Sequence, residues 1–181
     1  RIYREADRAA KIVRNLLVFA GSRQATRRRL RLTGVLSRAL ALRAQACRAN
    51  EIEVIRQFGE GLPAVLGDPL LLQQAFLNVL INAEQAIGER PGGRITVAAV
   101  LAPARDRVVT TVRDTGPGIA TQAIPRIFEP FYTTKDVGRG IGLGLAITYG
   151  IIQEHGGDIA AGNHPDGGAV FTIALPVEGE I

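Results

Sequence analysis

Residues 68–87 constrain the fold more than any other segment, because they predict a helix that is apolar on most of its surface. Asp68 followed by Pro69 is typical of a helix start, with an N-cap side chain and a proline in the first turn. A helix of this composition has to be covered on several sides, which predicts a core element. Its single polar stripe consists of neutral amides at spacings of four, four and three residues: Gln74, Asn78, Asn82 and Gln85.

This amide stripe has two interpretations. A solvated helix face normally carries Glu, Lys and Arg, whereas neutral amides suit a cavity whose ligand brings its own charge. An Asn carbonyl is a hard oxygen ligand for Mg²⁺, and phosphates supply the negative charge. A polar surface stripe or a buried amide network is the alternative, and the segment by itself favours neither interpretation.

The remaining chain alternates predicted helices with predicted strands. Helices are expected over residues 1–20, 33–48 and 142–155, and strands over residues 51–58, 94–101, 107–113, 159–161 and 169–175. Thr33 is the expected N-cap of the second helix. This order predicts an α/β fold, a two-layer sandwich in which helices cover one face of a mixed sheet.

Residues 1–20 carry small and apolar side chains at spacings that alternate between four and three, which is typical of a coiled coil or a helix bundle. Such a helix would pair with a segment outside this chain, and docking on the main domain is the alternative. The first residues contain neither a Met nor a signal-peptide pattern, so we expect a piece of a longer protein. The predicted organisation is a bundle helix over 1–21, a basic linker over 22–32 and one domain over 33–181.

Composition excludes several classes of protein. Cys47 is the only cysteine, which excludes a disulfide scaffold and is compatible with a reducing compartment. No apolar run approaches the roughly 18 residues of a membrane helix. The formal net charge is +5, but the basic run of the linker has neither interleaved aromatics nor zinc-ligand spacing. We therefore expect no nucleic-acid partner.

A second candidate site follows the predicted strand 107–113. Asp114 stands at the strand end, beside Gly116 and Gly118, which allow a ligand to approach the backbone closely. A carboxylate in this place can accept a hydrogen bond from the exocyclic amine of adenine, whereas guanine presents a carbonyl there. Asp114 would then select ATP over GTP. A simple turn in which the Asp side chain bonds to the backbone is the alternative.

A third candidate site is the glycine series at positions 138, 140, 142 and 144, which precedes a predicted helix. Backbone N–H groups at a helix start favour a phosphate. The series matches neither the P-loop nor the dinucleotide fingerprint. The long segment before it, residues 117–141, contains Phe128 and Phe131 and is expected to form a lid over a ligand. Lys135 in this lid could reach a terminal phosphate.

Together these segments resemble the sequence boxes of sensor histidine kinases. LLLQQAFLNVLINAEQAI resembles the N box, RDTGPGI the G1 box, FEPFYTTK the F box and GRGIGLGLAITYGIIQEHGG the G2 box, and they occur in the family order. EADRAAKIVRNLLVFA is similar to the second helix of the dimerisation hairpin in the nitrogen-regulator-like branch. Four boxes in order make a chance match very improbable.

The resemblance implies a Bergerat-type (GHKL) ATP-binding fold, with ATP and Mg²⁺ as cofactors. It implies that Asn82 holds Mg²⁺, that Asn78 supports the phosphates and that Asp114 accepts the adenine amine. The other nucleotide-binding residues that it implies are Gln85, Gly116, Gly118, Ile119, Lys135, Gly140, Gly142, Leu143, Gly144, Leu145 and Thr172. Many members of other branches carry Lys, Arg or His at the position of Gln85, so Lys135 or Arg139 is expected to supply that phosphate contact.

The implied reaction is transfer of the γ-phosphoryl group of ATP to a histidine on a hairpin helix outside this chain. His155, expected to be a cation that complements a helix dipole, and His164 are predicted to be structural. The implied partners are the dimerisation and phosphoacceptor helices of the parent kinase, which would form a homodimer, and the receiver domain of a response regulator. The domain is expected in the cytoplasm, whether or not its parent is anchored in a membrane.

Three alternative functions remain at this point: a GHKL-type ATPase, a protein serine kinase on the same fold, and a nucleotide-binding module without catalysis. The hydrolytic relatives carry a Glu four residues before the Mg²⁺ asparagine, where it activates water. This chain has Asn78 there, and an amide cannot accept the proton. A serine kinase of this type usually lacks a hairpin helix.

Overall fold

The computed structural model describes residues 26–88, 92–134 and 141–178. The helix predicted over residues 1–20 lies outside these ranges. Within them, none of the helices is long and apolar enough to cross a membrane.

Three α-helices and seven strands form within the described ranges. The helices are α1 (Leu32–Ala49), α2 (Pro69–Ile87) and α3 (Gly144–Glu154). The strands are β1 (Arg28–Leu30), β2 (Glu53–Phe58), β3 (Val65–Gly67), β4 (Arg94–Leu101), β5 (Arg107–Asp114), β6 (Asp158–Asn163) and β7 (Ala169–Pro176). All predicted elements in these ranges are present, with ends shifted by at most two residues.

Five of the strands form one mixed sheet in the order β2-β4-β5-β7-β6. Strands β2 and β4 are parallel, and the other neighbouring pairs are antiparallel. All three helices pack on the same face of this sheet, so the predicted two-layer α/β sandwich is confirmed.

Buried and half-buried residues alternate along the central strands, which explains why the helices cover only one face of the sheet. In β7 the buried positions Phe171, Ile173 and Leu175 point towards the helices, and the residues between them are only partly buried. Helix α2 supplies the centre of the core, where Phe76 and Val79 are fully buried. Its apolar surface is covered by the sheet, by α1 and by α3.

The helix starts were predicted with mixed success. Asp68 caps α2 as expected: its Oδ1 accepts hydrogen bonds from the backbone N–H groups of Leu70 at 2.8 Å and Leu71 at 3.1 Å. Thr33 does not cap α1, so that prediction is wrong. The N-cap residue is Arg31, and it makes no side-chain capping bond.

Two short strands were not predicted. β1 lies within the segment expected to be a linker and pairs antiparallel with β3, with Arg28 opposite Gly67. Val65 of β3 also forms a bridge to Val177, just after β7. These contacts attach residues 28–30 to the sandwich.

Cys47 links two helices through its side chain. Its thiol is buried and donates a hydrogen bond of 3.1 Å to Oε1 of Glu84, which also accepts one from Nε of Arg43 at 3.0 Å. Burial, reinforced by Glu84, raises the pKa of the Cys47 thiol to about 12. The thiol therefore stays protonated and joins α1 to α2.

Candidate functional site

A cavity of about 250 Å³ lies between α2 and the segments that precede and begin α3. Asn78, Asn82 and Gln85 form its α2 wall, so three of the four stripe residues face one space. The other lining residues are Ile81, Ile127, Tyr132, Thr133, Thr134, Ile141, Gly142, Leu143, Gly144 and Leu145. None of these lining residues is acidic, which suits a ligand that carries negative charge.

Asn78 connects two walls of the cavity. Its Nδ2 donates a hydrogen bond of 3.0 Å to the carbonyl oxygen of Gly144 and a longer one of 3.4 Å to Oγ1 of Thr148. Thr148 is fully buried, and its hydroxyl lies 2.9 Å from the same Gly144 carbonyl. The amide of Asn78 therefore both lines the cavity and sets the position of the first turn of α3.

The start of α3 is held against the aromatic segment before it. The N–H of Phe131 donates to the carbonyl of Gly142 at 2.9 Å. Gly142 has φ +70°, and a Cβ there would lie 2.5 Å from the Phe131 carbonyl carbon. Only glycine fits this left-handed, crowded position. The first N–H groups of α3 are thereby placed beside the cavity, where they favour a phosphate.

Asp114 ends β5 and is almost completely buried. Its Oδ1 accepts hydrogen bonds from the backbone N–H groups of Gly116 at 2.8 Å and Ala169 at 3.2 Å. Burial raises the pKa of the Asp114 carboxyl above its ordinary value, and the two backbone hydrogen bonds oppose that rise. The environment therefore makes the charged form costly while fixing the orientation of the carboxyl group.

The turn after Asp114 packs on the end of α2. A Cβ on Gly116 would lie 3.0 Å from the carbonyl oxygen of Ala86, the residue after Gln85. Asp114 thus lies next to the helix that carries the amide stripe, although it does not line the cavity itself. Gly118 and Ile119 continue this turn, and Ile119 packs on the edge of the core.

Thr172 is not where the resemblance implied. It pairs with Thr111 of β5, and it alternates with Phe171 and Ile173, which face the helices. Thr172 therefore lies on the helix-free face, opposite to Asp114, and the expectation that it lies near an adenine is corrected. The alternation of the sequence around Thr172 was sufficient to detect this. Ala169 occupies the place beside Asp114, through its backbone.

The two histidines have structural roles, as predicted. His155 is buried, its Nε2 accepts from the N–H of Asp68 at 3.0 Å, and its Nδ1 lies 2.7 Å from the carbonyl of Ile151. This arrangement requires a neutral ring with the proton on Nδ1, so the expected cation is not present. His164 belongs to the β6–β7 turn, where its Nδ1 accepts from the N–H of Asp166.

Several positioning residues were missed in the sequence. Thr148 carries no signal that separates it from other helix residues. Gly168 has φ +83°, and a Cβ there would overlap the Asp114 carbonyl oxygen at 1.8 Å. The pair Gly167-Gly168 indicates a turn but does not show what that turn touches. Asn163 contacts the loop after Asp114. Lys135, Arg139 and Gly140 lie outside the described residues.

The family model described as "Histidine kinase-, DNA gyrase B-, and HSP90-like ATPase" matches residues 67–179, which is more than half of this chain. The chain therefore belongs to this family, and its fold is that of an ATP-binding domain. The matched range begins at β3 and contains α2, Asp114 and the start of α3.

Within this family, the chain is similar to sensor histidine kinases. "Sensor histidine kinase ZraS" of Salmonella typhi is 40% identical over 174 residues, which is 96% of this chain and 36% of that protein. The chain thus spans about a third of the length of this curated relative.

Two solved structures support the same assignment. Full-length ShkA in complex with AMPPNP matches with a TM-score of 0.83 and 30% identity, covering 98% of this chain and 37% of that one. Histidine kinase ThkA in complex with response regulator protein TrrA matches with a TM-score of 0.80 and 27% identity, covering 98% and 49%. The resemblance to sensor histidine kinases is thereby confirmed, whereas the nitrogen-regulator-like branch stays a prediction.

Proposed function

We propose that this chain is the catalytic ATP-binding part of a sensor histidine kinase and transfers the γ-phosphoryl group of ATP to a histidine in two-component signalling. The observation that carries the proposal is the cavity in which the α2 amides face the start of α3, beside the anchored carboxyl group of Asp114. The complexes of ShkA with AMPPNP and of ThkA with TrrA support it through relatives of the same fold.

Asp114 would select adenine. Its Oδ1 is engaged by Gly116 and Ala169, which orients Oδ2 to accept the hydrogen bond of the adenine amine. Guanine would bring a carbonyl oxygen to this carboxylate and be repelled. Ile119, Leu143 and Leu145 supply apolar contacts around the nucleotide in this proposal.

Asn82 would hold Mg²⁺, and the residues present fit that cation. Amide and hydroxyl oxygens line the cavity, and its lining includes no carboxylate, so the phosphates must complete the coordination. Bound Mg²⁺ supplies neutralisation of the phosphate charge. Asn78 would contribute to phosphate binding by positioning α3, whose N-terminal N–H groups would face the phosphates. Gln85, at the other end of the amide stripe, would contact the triphosphate. Lys135 or Arg139 stays the predicted phosphate contact, and Gly140 stays a predicted nucleotide-binding residue.

The acceptor histidine would come from outside these residues. His155 is buried with both ring nitrogens engaged, and His164 is part of a tight turn.

Hydrolysis of ATP by this site is disfavoured. The amide of Asn78 cannot act as a base, and its Nδ2 already donates a hydrogen bond to the Gly144 carbonyl. We also propose that residues 1–21 are the second hairpin helix and that the catalytic domain of 33–181 is extended by β1, which pairs with β3. A homodimeric parent kinase and a receiver domain as phosphoryl acceptor complete the proposal, with this domain in the cytoplasm.

Nucleotide binding is the first test. Calorimetry with ATP, ADP and GTP, with and without Mg²⁺, should give adenine-selective binding that Mg²⁺ strengthens for ATP. In Asp114→Asn the oxygen proposed to accept from the adenine amine is replaced by an NH₂ group, which can only donate. We therefore expect adenine binding to be lost. Asp158→Asn is the control, because Asp158 is exposed and pairs with Arg107 far from the cavity. Equal affinity for ATP and GTP would contradict the proposed role of Asp114.

Phosphoryl transfer is the second test. The chain is mixed with Mg-ATP and a separately produced hairpin of a homologous kinase that carries its histidine. Phosphate that is labile in acid and stable in base indicates phosphohistidine, whereas acid-stable phosphate would indicate a serine kinase. Release of inorganic phosphate without hairpin labelling would indicate an ATPase, and ATP binding without either reaction a non-catalytic module.

A further inference from the structure

We propose that Asn163 is a positioning residue for nucleotide binding, because it holds the loop that follows Asp114. This inference rests on the proposed function and deepens it. Ile119 donates its N–H to Oδ1 of Asn163 at 2.7 Å, and Nδ2 of Asn163 donates to the Ile119 carbonyl at 2.7 Å. One side-chain amide thus satisfies both backbone groups of one loop residue, as a neighbouring strand would.

The loop approaches Asn163 as closely as its glycine permits. Gly118 has φ +81°, and a Cβ there would lie 2.7 Å from Oδ1 of Asn163. Any other residue at this position would be strained and would displace the amide. The two hydrogen bonds and the close approach are independent signs that the loop is built around Asn163.

The position of Asn163 in the sheet explains how it could act on the nucleotide without touching it. Asn163 is the last residue of β6 and is paired with Ala169, the first residue of β7. Ala169 holds the carboxyl group of Asp114, and Asn163 holds Ile119. This single cross-strand pair therefore anchors both ends of the turn 114–119.

The turn that joins Asn163 to Ala169 is closed by a backbone hydrogen bond. His164 donates its N–H to the carbonyl of Gly168 at 2.9 Å, and Gly168 lies against the backbone of Asp114. Without the side chain of Asn163, the Asp114 end would stay anchored while the Ile119 end lost two hydrogen bonds. The nucleotide would then have to order this loop itself, and that cost would appear as weaker binding.

The test compares Asn163→Ala and Asn163→Asp with the unchanged chain. We expect Asn163→Ala to raise the Kd for Mg-ATP about tenfold, because the nucleotide then has to order the loop. Its melting temperature should fall by no more than about 4 °C. Asn163→Asp keeps the acceptor for the Ile119 N–H but turns a carboxylate oxygen towards the Ile119 carbonyl, so its Kd should rise at least as much. Asn50→Ala, at the exposed asparagine that follows α1, should change neither quantity.

Amide hydrogen exchange distinguishes positioning from general stability. The Ile119 N–H should exchange faster in both Asn163 variants, while the Gly116 N–H stays protected in both. ATP binding that is equally tight in Asn163→Ala, or unchanged Ile119 exchange, would overturn this proposal alone. Failure of the unchanged chain to bind ATP would overturn the proposed function together with it. If Asn163→Ala does not fold, Asn163→Asp gives the deciding comparison.

Discussion

Ala169 donates its backbone N–H to Oδ1 of Asp114 at 3.2 Å, so the carboxyl group is held from strand β7 as well as from its own turn. The same carboxyl group is almost fully buried, and burial raises its pKa. The site therefore keeps a buried carboxylate that can accept a hydrogen bond, and burying its charge lowers the stability of the ligand-free protein. A bound nucleotide would offset this loss of stability.

Replacement of this carboxyl group should stabilise the ligand-free protein. An amide at position 114 can still accept from Gly116 and Ala169 and carries no charge. At pH 7 we expect Asp114→Asn to raise the free energy of unfolding by about 0.5–2 kcal/mol, measured by urea denaturation.

The sign of the pH dependence follows from the raised pKa of Asp114. The folded state binds the proton more tightly than the unfolded state, so the wild-type loses stability as pH rises from about 4 through the raised pKa. The difference between wild-type and Asp114→Asn should therefore grow with pH and vanish in acid. A constant difference across this range would show that the charge of Asp114 is not its cause.

The bond from Asn78 to Gly144 should contribute to stability. Asn78→Asp replaces the donor with a carboxylate oxygen facing a carbonyl, and we expect a loss of about 1–3 kcal/mol in urea denaturation. Gln73→Glu introduces the same chemical change elsewhere on α2 and should cost less than about 0.5 kcal/mol. Equal losses in the two variants would argue for a charge effect on the helix instead.

Two adjacent glycines of the β6–β7 turn should respond differently to alanine. Gly167 and Gly168 both have left-handed φ, but a Cβ on Gly167 meets nothing within 4 Å, whereas one on Gly168 overlaps the Asp114 carbonyl. Gly167→Ala should cost about 1–2 kcal/mol from the backbone alone. In Gly168→Ala the new methyl group would also overlap the Asp114 carbonyl, so we expect the free energy of unfolding to fall by about 2–5 kcal/mol in total. The same variant should also bind ATP more weakly. Similar losses of stability would contradict the contact with Asp114.

Thr110 offers a stabilising substitution. It is fully buried on β5, and its hydroxyl has no hydrogen-bond partner among the described residues. Thr110→Val exchanges this hydroxyl for a methyl group of similar size, and we expect a gain of about 1 kcal/mol in the free energy of unfolding. Thr111→Val, on the helix-free face, should be nearly neutral. A destabilised Thr110→Val would mean that water reaches the hydroxyl.

Local signals predicted most elements and part of the candidate site. The N-cap and proline before α2, its near-continuous apolar surface and its amide stripe depend only on residues close in the chain. They placed Asn78, Asn82 and Gln85 on one helix face, and all three line the cavity. Asp114 was recognisable because a strand, a carboxylate and two glycines follow one another directly.

Contacts between distant segments were not predictable in the same way. The short strands β1 and β3 exist because Arg28 meets Gly67 across the molecule, and neither strand has a strong pattern of its own. Asn163 lies 44 positions from Ile119, and nothing around it in the sequence indicates that its amide binds a loop. Thr172 was misplaced because the side-chain alternation of its strand was not applied to the site.

Periodicity and turn chemistry act over a few residues, so they were enough to predict the sandwich, the helix that carries the amides and the carboxylate at a strand end. The groups that hold these parts in place became known from the folded structure. Asn163, Thr148 and Gly168 act through side-chain hydrogen bonds and close packing between segments far apart in the chain, and such contacts form only when the sheet and helices assemble.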